Sequence, residues 1–212
     1  VRLLLEHTAK SFKQDSGRKF IVCERDDKEI EIEFDALLVA VGRKPNITGF
    51  GLEELDIPIS KAGTVQTNEY LQTIYPNIFA CGDVAGPYQF THTAAHQAWY
   101  AAVNALFGRF KKFKVDYSVI PWATFTDPEV ARVGLNETEA KEQGIAYEVS
   151  KYGIDDLDRA IADEEAHGFV KVLTVPRKDK ILGATIVGDH AGELITEYIS
   201  AMHHGLGMNK IL

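Results

Sequence analysis

Six apolar side chains stand in a row at Ala36, Leu37, Leu38, Val39, Ala40 and Val41. They stop at once on Gly42, Arg43, Lys44, Pro45 and Asn46. An unbroken apolar run of strand length predicts a strand covered on both faces, as in the parallel sheet of an α/β domain. The glycine, charges and proline that follow predict a loop leaving that sheet. A second short run, Ile78, Phe79, Ala80 and Cys81, ends on Gly82 and Asp83. Two such runs, each closed by a glycine, argue for α/β layers in the first half of the chain. At 212 residues, 45% apolar and 25% charged, the composition is that of a globular protein and excludes disordered and collagen-like chains.

Between and beyond these runs the pattern changes. Residues 1–7 and 19–24 read as strands. Residues 29–34 alternate apolar and polar as a half-buried strand should, with Asp26-Asp27-Lys28 as a hairpin turn. Residues 52–55 suggest a short helix and 64–67 a strand. A helix rich in alanine fits 93–107, with Thr91 or Thr93 as its N-cap and Gly108 as its stop. The composition shifts at 111–117, and the remainder reads as antiparallel α+β. Strands fit 121–126, 129–134, 146–152, 168–175 and 181–187. A helix over 136–143 carries a capping box between Asn136 and Glu139, and a long helix fits 191–204. Leu212 falls where another element would begin. The domain expectation is therefore 1–43, 44–117 and 118–212.

Lys and Arg number 23 against 31 Asp and Glu, a net charge of -8. That balance argues against nucleic acid or an anionic membrane as partner, since both require a basic face. The basic stretch Arg109, Lys111, Lys112 and Lys114, interleaved with Phe110 and Phe113, reads as a solvated segment. No run of about 18 apolar residues predicts a membrane span. The two cysteines, Cys23 and Cys81, form no metal-ligand or disulfide spacing, which suits a reducing cytoplasm. Cys81 reads as a buried structural thiol. His92 and His96 are spaced to share a helix face but lack a third ligand, and His203 and His204 sit where a helix C-terminus favours imidazolium. Residues 194, 195, 198, 199 and 202 form an apolar helical stripe for a core or interface.

The chemistry concentrates at Gly82-Asp83. A strand ending in Gly-Asp places a carboxylate at the carboxyl edge of an α/β sheet, where ligands bind in such folds. Glycine admits a close ligand approach, and Asp83 can accept hydrogen bonds from a polyol. The helix that follows offers free N–H donors and a partial positive charge at its start. Taken alone, Gly-Asp after a strand also serves as an ordinary turn or cap.

Three segments in order shift that balance: Val41-Gly42-Arg43-Lys44-Pro45-Asn46, then Ile78-Phe79-Ala80-Cys81-Gly82-Asp83-Val84, then Thr126-Asp127-Pro128-Glu129-Val130-Ala131-Arg132-Val133-Gly134. Together they resemble the pyridine nucleotide-disulfide oxidoreductases, the FAD flavoenzymes that include dihydrolipoamide dehydrogenase, glutathione reductase and mercuric reductase. Gln89-Phe90-Thr91-His92, with Asp158-Arg159-Ala160 and Gly168-Phe169-Val170-Lys171, resemble the mercuric reductase-like subgroup most.

The resemblance implies an oxidoreductase passing electrons from NAD(P)H through flavin to a disulfide or metal ion. It implies that Asp83 holds the ribityl chain of FAD, that Gln89, Phe90, Thr91 and His92 meet the flavin, and that Gly42 approaches the nicotinamide dinucleotide. It implies the returning part of FAD- and NAD(P)-binding α/β domains, followed from 118 by an α+β interface domain that pairs two protomers. The family's GxGxxG, its CxxxxC redox pair and its His-Pro-Thr base segment do not occur in this sequence, which begins with Val. On that ground the sequence is expected to be a C-terminal piece with no catalytic residue of its own, retaining neither cofactor alone. The alternative for the chain as given is a catalytically silent dimerisation scaffold.

Overall fold

The computed structural model describes residues 2–211; Val1 and Leu212, and with them the outer ends of the first predicted strand and of the 118–212 domain, lie outside the described residues. The chain divides into two compact units, Val1–Lys44 and Pro45–Leu212.

The first unit is a three-stranded antiparallel meander of β1 (Thr8–Asp15), β2 (Arg18–Arg25) and β3 (Lys28–Phe34). Asp26 and Asp27 turn β2 into β3 with φ of 51° and 59°, the two left-handed residues of a tight hairpin, so the predicted turn is present. Residues 2–7 are not a strand, and β1 instead occupies 8–15, every residue of it exposed. With few apolar residues β1 carries little periodic signal. Pairing along β2 and the Lys10–Glu24 and Lys13–Glu31 ion pairs, at 2.9 and 2.5 Å, hold it instead. Val22 and Cys23 are the buried residues of β2.

Residues 36–41 form no strand, contrary to expectation, and Leu38 and Val41 are 90% and 88% exposed. An all-apolar strand needs a neighbouring strand and a layer on each face to cover it. Among the described residues none pairs with it.

The second unit opens with irregular chain pinned by isolated bridges, Ile59 to Val65 and Gln72 to Phe79. These replace the strands expected at 64–67 and 77–81, and residues 52–55 form turns rather than a helix. Helix α1 (Thr91–Phe107) follows. Leu71, Ala101 and Val115 form a small core beside it, with Cys81 packed against them, half-buried rather than buried. Asn104 is buried and holds the chain beyond the helix: its side chain donates to the carbonyls of Tyr70 and Phe113 and accepts from the Phe113 N–H at 2.7 Å.

A five-stranded antiparallel sheet of order β4-β5-β8-β7-β6 completes the unit, built from β4 (Pro121–Thr124), β5 (Glu129–Gly134), β6 (Glu148–Gly153), β7 (Phe169–Thr174) and β8 (Ile181–Gly188). Its main core is Ala131, Val133, Val172, Ile181, Ala184 and Ile186, closed by Ala191, Ile195 and Ala201. Helix α2 (Glu137–Glu142) carries the expected capping box between Asn136 and Glu139. Glu139 also pairs with Arg132, and Glu137 with Lys171 at 2.6 Å. A short α3 (Asp158–Ala162) escaped prediction. The predicted long helix is two, α4 (Ala191–Leu194) and α5 (Thr196–His203). The Thr196 hydroxyl donates to the Glu193 carbonyl at 2.7 Å, a local bond of the kind that competes with the helical ladder.

Candidate functional site

The loop from Cys81 to Phe90 and the first turn of α1 form the candidate site. Gly82–Val84 is a single 3₁₀ turn. Gly82 is buried with φ of +79°, and a Cβ there would lie 3.3 Å from the Ala94 Cβ. The left-handed φ and the tight contact with Ala94 both favour glycine at this position.

Gln97 fixes the loop. It is fully buried; its Oε1 accepts from the Gly82 N–H at 2.5 Å, and its Nε2 donates to the Gly86 carbonyl at 2.6 Å and the Tyr117 hydroxyl at 2.8 Å. Asp83 lies between the two glycines and is half-buried, as is Gln89. Burial pushes the Tyr117 phenol above its ordinary pKa, which keeps it neutral beside the amide. Sequence reasoning missed Gln97, because a glutamine inside an alanine-rich helix looks like a surface residue.

The start of α1 differs from the expected cap. Phe90 is the N-cap, with extended φ and ψ of -123° and 141°, and neither it nor Thr91 or Thr93 supplies a side-chain cap. The N–H groups of Thr91, His92 and Thr93 therefore have no intrahelical acceptor, while Ala94 bonds the Phe90 carbonyl at 2.9 Å. Thr93 is fully buried and its Oγ1 has no hydrogen-bond partner. An orphaned hydroxyl beside the N–H groups that open a 17-residue helix, at its positive end, suits an acceptor-rich, electron-rich group.

The side chains around it form an aromatic ladder. Phe90 stacks on His92 at 5.3 Å and on Trp122 at 5.9 Å, and the Arg132 guanidinium lies 4.3 Å from the Trp122 ring centroid. The His92 Nε2 donates to the Pro121 carbonyl at 2.7 Å, and the His96 Nε2 to the Asp116 carbonyl at 2.8 Å. One ring nitrogen of each imidazole is thus taken up by backbone. Asp83, Gln89, Phe90, Thr91 and His92 all belong to the second unit. Gly42 belongs to the first, where its φ is +121° and nothing approaches within 4 Å of the space a Cβ would take.

Residues 1–98 match the family described as pyridine nucleotide-disulphide oxidoreductase, and residues 120–212 match its dimerisation domain. Mercuric reductase of Staphylococcus aureus is 37% identical over 211 residues, all of this chain and 38% of that protein. Dihydrolipoyl dehydrogenase of Chlamydia muridarum is 38% identical over 174 residues, 82% of this chain and 37% of that one. Among solved structures, LpdA from Mycobacterium tuberculosis superposes with a TM-score of 0.88 at 25% identity, covering 99% of this chain and 45% of that one. The flavoprotein disulfide reductase RclA from Escherichia coli gives 0.79 at 25% identity, covering 94% and 45%. The chain thus spans less than half the length of these relatives. No helix among the described residues is long and apolar enough to cross a membrane. With both matches bearing one family's name, the chain belongs to the pyridine nucleotide-disulphide oxidoreductase family.

Proposed function

We propose that this chain contributes the flavin-facing loop and the pairing domain of an FAD-dependent oxidoreductase that takes electrons from NAD(P)H and delivers them to a disulfide or a metal ion. The observation that carries the reading is the start of α1, where Phe90 supplies no side-chain cap and the Thr93 hydroxyl is orphaned, beside a carboxylate loop locked by Gln97.

Bound flavin supplies reversible two-electron exchange between a hydride donor and a thiol pair. The chain's own residues hold and orient it. Asp83 accepts hydrogen bonds from the polyol of the ribityl chain. The N–H groups of Thr91, His92 and Thr93 would donate to the ring's acceptor atoms, and the positive helix end would favour added negative charge there. Gln89 and Phe90 shape the approach, and the His92 ring supports Phe90 rather than the cofactor, since it is bound to Pro121. Gly42 leaves its backbone open to a nicotinamide dinucleotide.

The mercuric reductase-like reading rests on residues 89–92, 158–160 and 168–171. Relatives named mercuric reductase and dihydrolipoyl dehydrogenase are 37% and 38% identical, so overall similarity favours neither acceptor. The free Cys23 and Cys81 suit a reducing compartment, and we place the protein in the cytoplasm on that ground.

Flavin retention in the full-length protein tests the site. Asp83→Ala and Thr93→Val should each lose bound flavin on dilution, by about 1.5–3 kcal/mol for the charged hydrogen bond of Asp83. Flavin occupancy equal to wild type in both variants overturns the assignment.

A further inference from the structure

Three side chains remote in sequence from the flavin-facing loop meet at one end of the large sheet. Strands β5, β8 and β7 finish together there, with Glu129 paired to Gly188 and Phe169 to Val187. Asp127 lies just before β5, and Glu165 and His167 just before β7, so two loops distant in sequence bring them together. A carboxylate oxygen of Asp127, one of Glu165 and a ring nitrogen of His167 all lie within 4.8 Å of one another.

We propose that Asp127, Glu165 and His167 form a binding site for a divalent d-block cation, with Zn²⁺ as its representative. Zinc bonds imidazole nitrogen and carboxylate oxygen at about 2.0–2.2 Å, so neighbouring donors in a tetrahedral site stand about 3.4 Å apart. Glu165 Oε2 and His167 Nε2 are already 3.3 Å apart. The Asp127 carboxylate, within 4.8 Å of both, supplies the third ligand.

The backbone on both sides is independently held. The Thr126 hydroxyl donates to the Pro128 carbonyl at 2.8 Å, and the Glu165 N–H to the Ala160 carbonyl at 2.9 Å. Asp127 and His167 are exposed, which leaves the fourth position to water. One imidazole among two carboxylates favours a d-block ion over Mg²⁺, which prefers six oxygens in a near-ideal octahedron. The bound ion clips the β4–β5 turn to the loop between α3 and β7, a structural role independent of the flavin reading.

Titration calorimetry of the 212-residue chain with ZnCl₂ tests this. One Zn²⁺ should bind per chain, and excess Mg²⁺ should not displace it. Asp127→Asn and His167→Gln should each weaken binding at least about 100-fold, since the loss of even a group that only supports a ligand costs about 10–100-fold. His203→Gln, on α5, should leave binding unchanged. Zinc should raise the melting temperature of the wild type and of His203→Gln but not of the two ligand variants. No binding heat from the wild type, displacement by Mg²⁺, or unchanged affinity in the ligand variants overturns the site.

Discussion

The Gln97 amide and the Gly82 N–H meet at 2.5 Å inside the second unit, and the same amide reaches the Gly86 carbonyl at 2.6 Å. One buried side chain therefore sets both ends of the loop that presents Asp83. Gln97→Met keeps the volume but strands a buried N–H and a carbonyl. It should cost about 3 kcal/mol in urea unfolding, since each unpaired buried group carries about 1–3 kcal/mol. A loss below about 0.5 kcal/mol would show that the loop does not depend on Gln97.

The capping box of α2 separates two contributions. Asn136→Ala removes one cap acceptor and should cost about 1 kcal/mol. Glu139→Ala also leaves the Arg132 guanidinium, only 16% exposed and otherwise bonded to the Gly134 carbonyl, without its carboxylate. The second substitution should therefore be the more damaging in thermal denaturation. The reverse order would place the stability in the cap alone.

Asp116 gives an acid-side signature. Hydrogen bonds from the Ser118 side chain and then its backbone N–H hold the carboxyl below its usual range, with smaller help from the His96 and His203 rings. A carboxylate depressed by folding contributes stability that is present above its unfolded value, about 3.9, and is lost as pH falls through the lower folded value. Urea midpoints followed from about pH 5 downward should thus fall less steeply for Asp116→Asn than for wild type. Parallel curves would refute the assignment.

Apolar character and burial part company at two leucines. Leu173 is 1% exposed in β7, and Leu173→Ala should cost about 2–5 kcal/mol through lost transfer energy and a cavity. Leu38, 90% exposed, should tolerate alanine within about 0.5 kcal/mol in this chain. Equal costs, measured by chemical unfolding, would mean that residues 36–41 are covered after all.

The 118–212 region should form a homodimer in solution, as its match to a dimerisation domain over 120–212 suggests. Phe125, Ile161 and Leu194 are at least half exposed and lie in that region. Light scattering should give twice the chain mass, and a monomer at high concentration would count against pairing.

What the sequence determined by itself was local. The Asn136–Glu139 capping box, the Asp26-Asp27 hairpin turn and the alternation of β3 each depend on residues a few positions apart, and all three are present. The same holds for β5, β7 and β8, whose apolar residues face one shared core. The tertiary structure decided what depends on distant partners. Residues 36–41 carry the strongest strand pattern in the chain yet form no strand, because apolar periodicity records a need for cover and not the cover itself. β1 carries almost no pattern and is a strand, because β2 supplies its hydrogen bonds. At the candidate site the motif located Asp83 and the helix start. Gln97 became visible only once folding buried it against Gly82, Gly86 and Tyr117, since a polar side chain declares its role through partners that only the fold brings within reach.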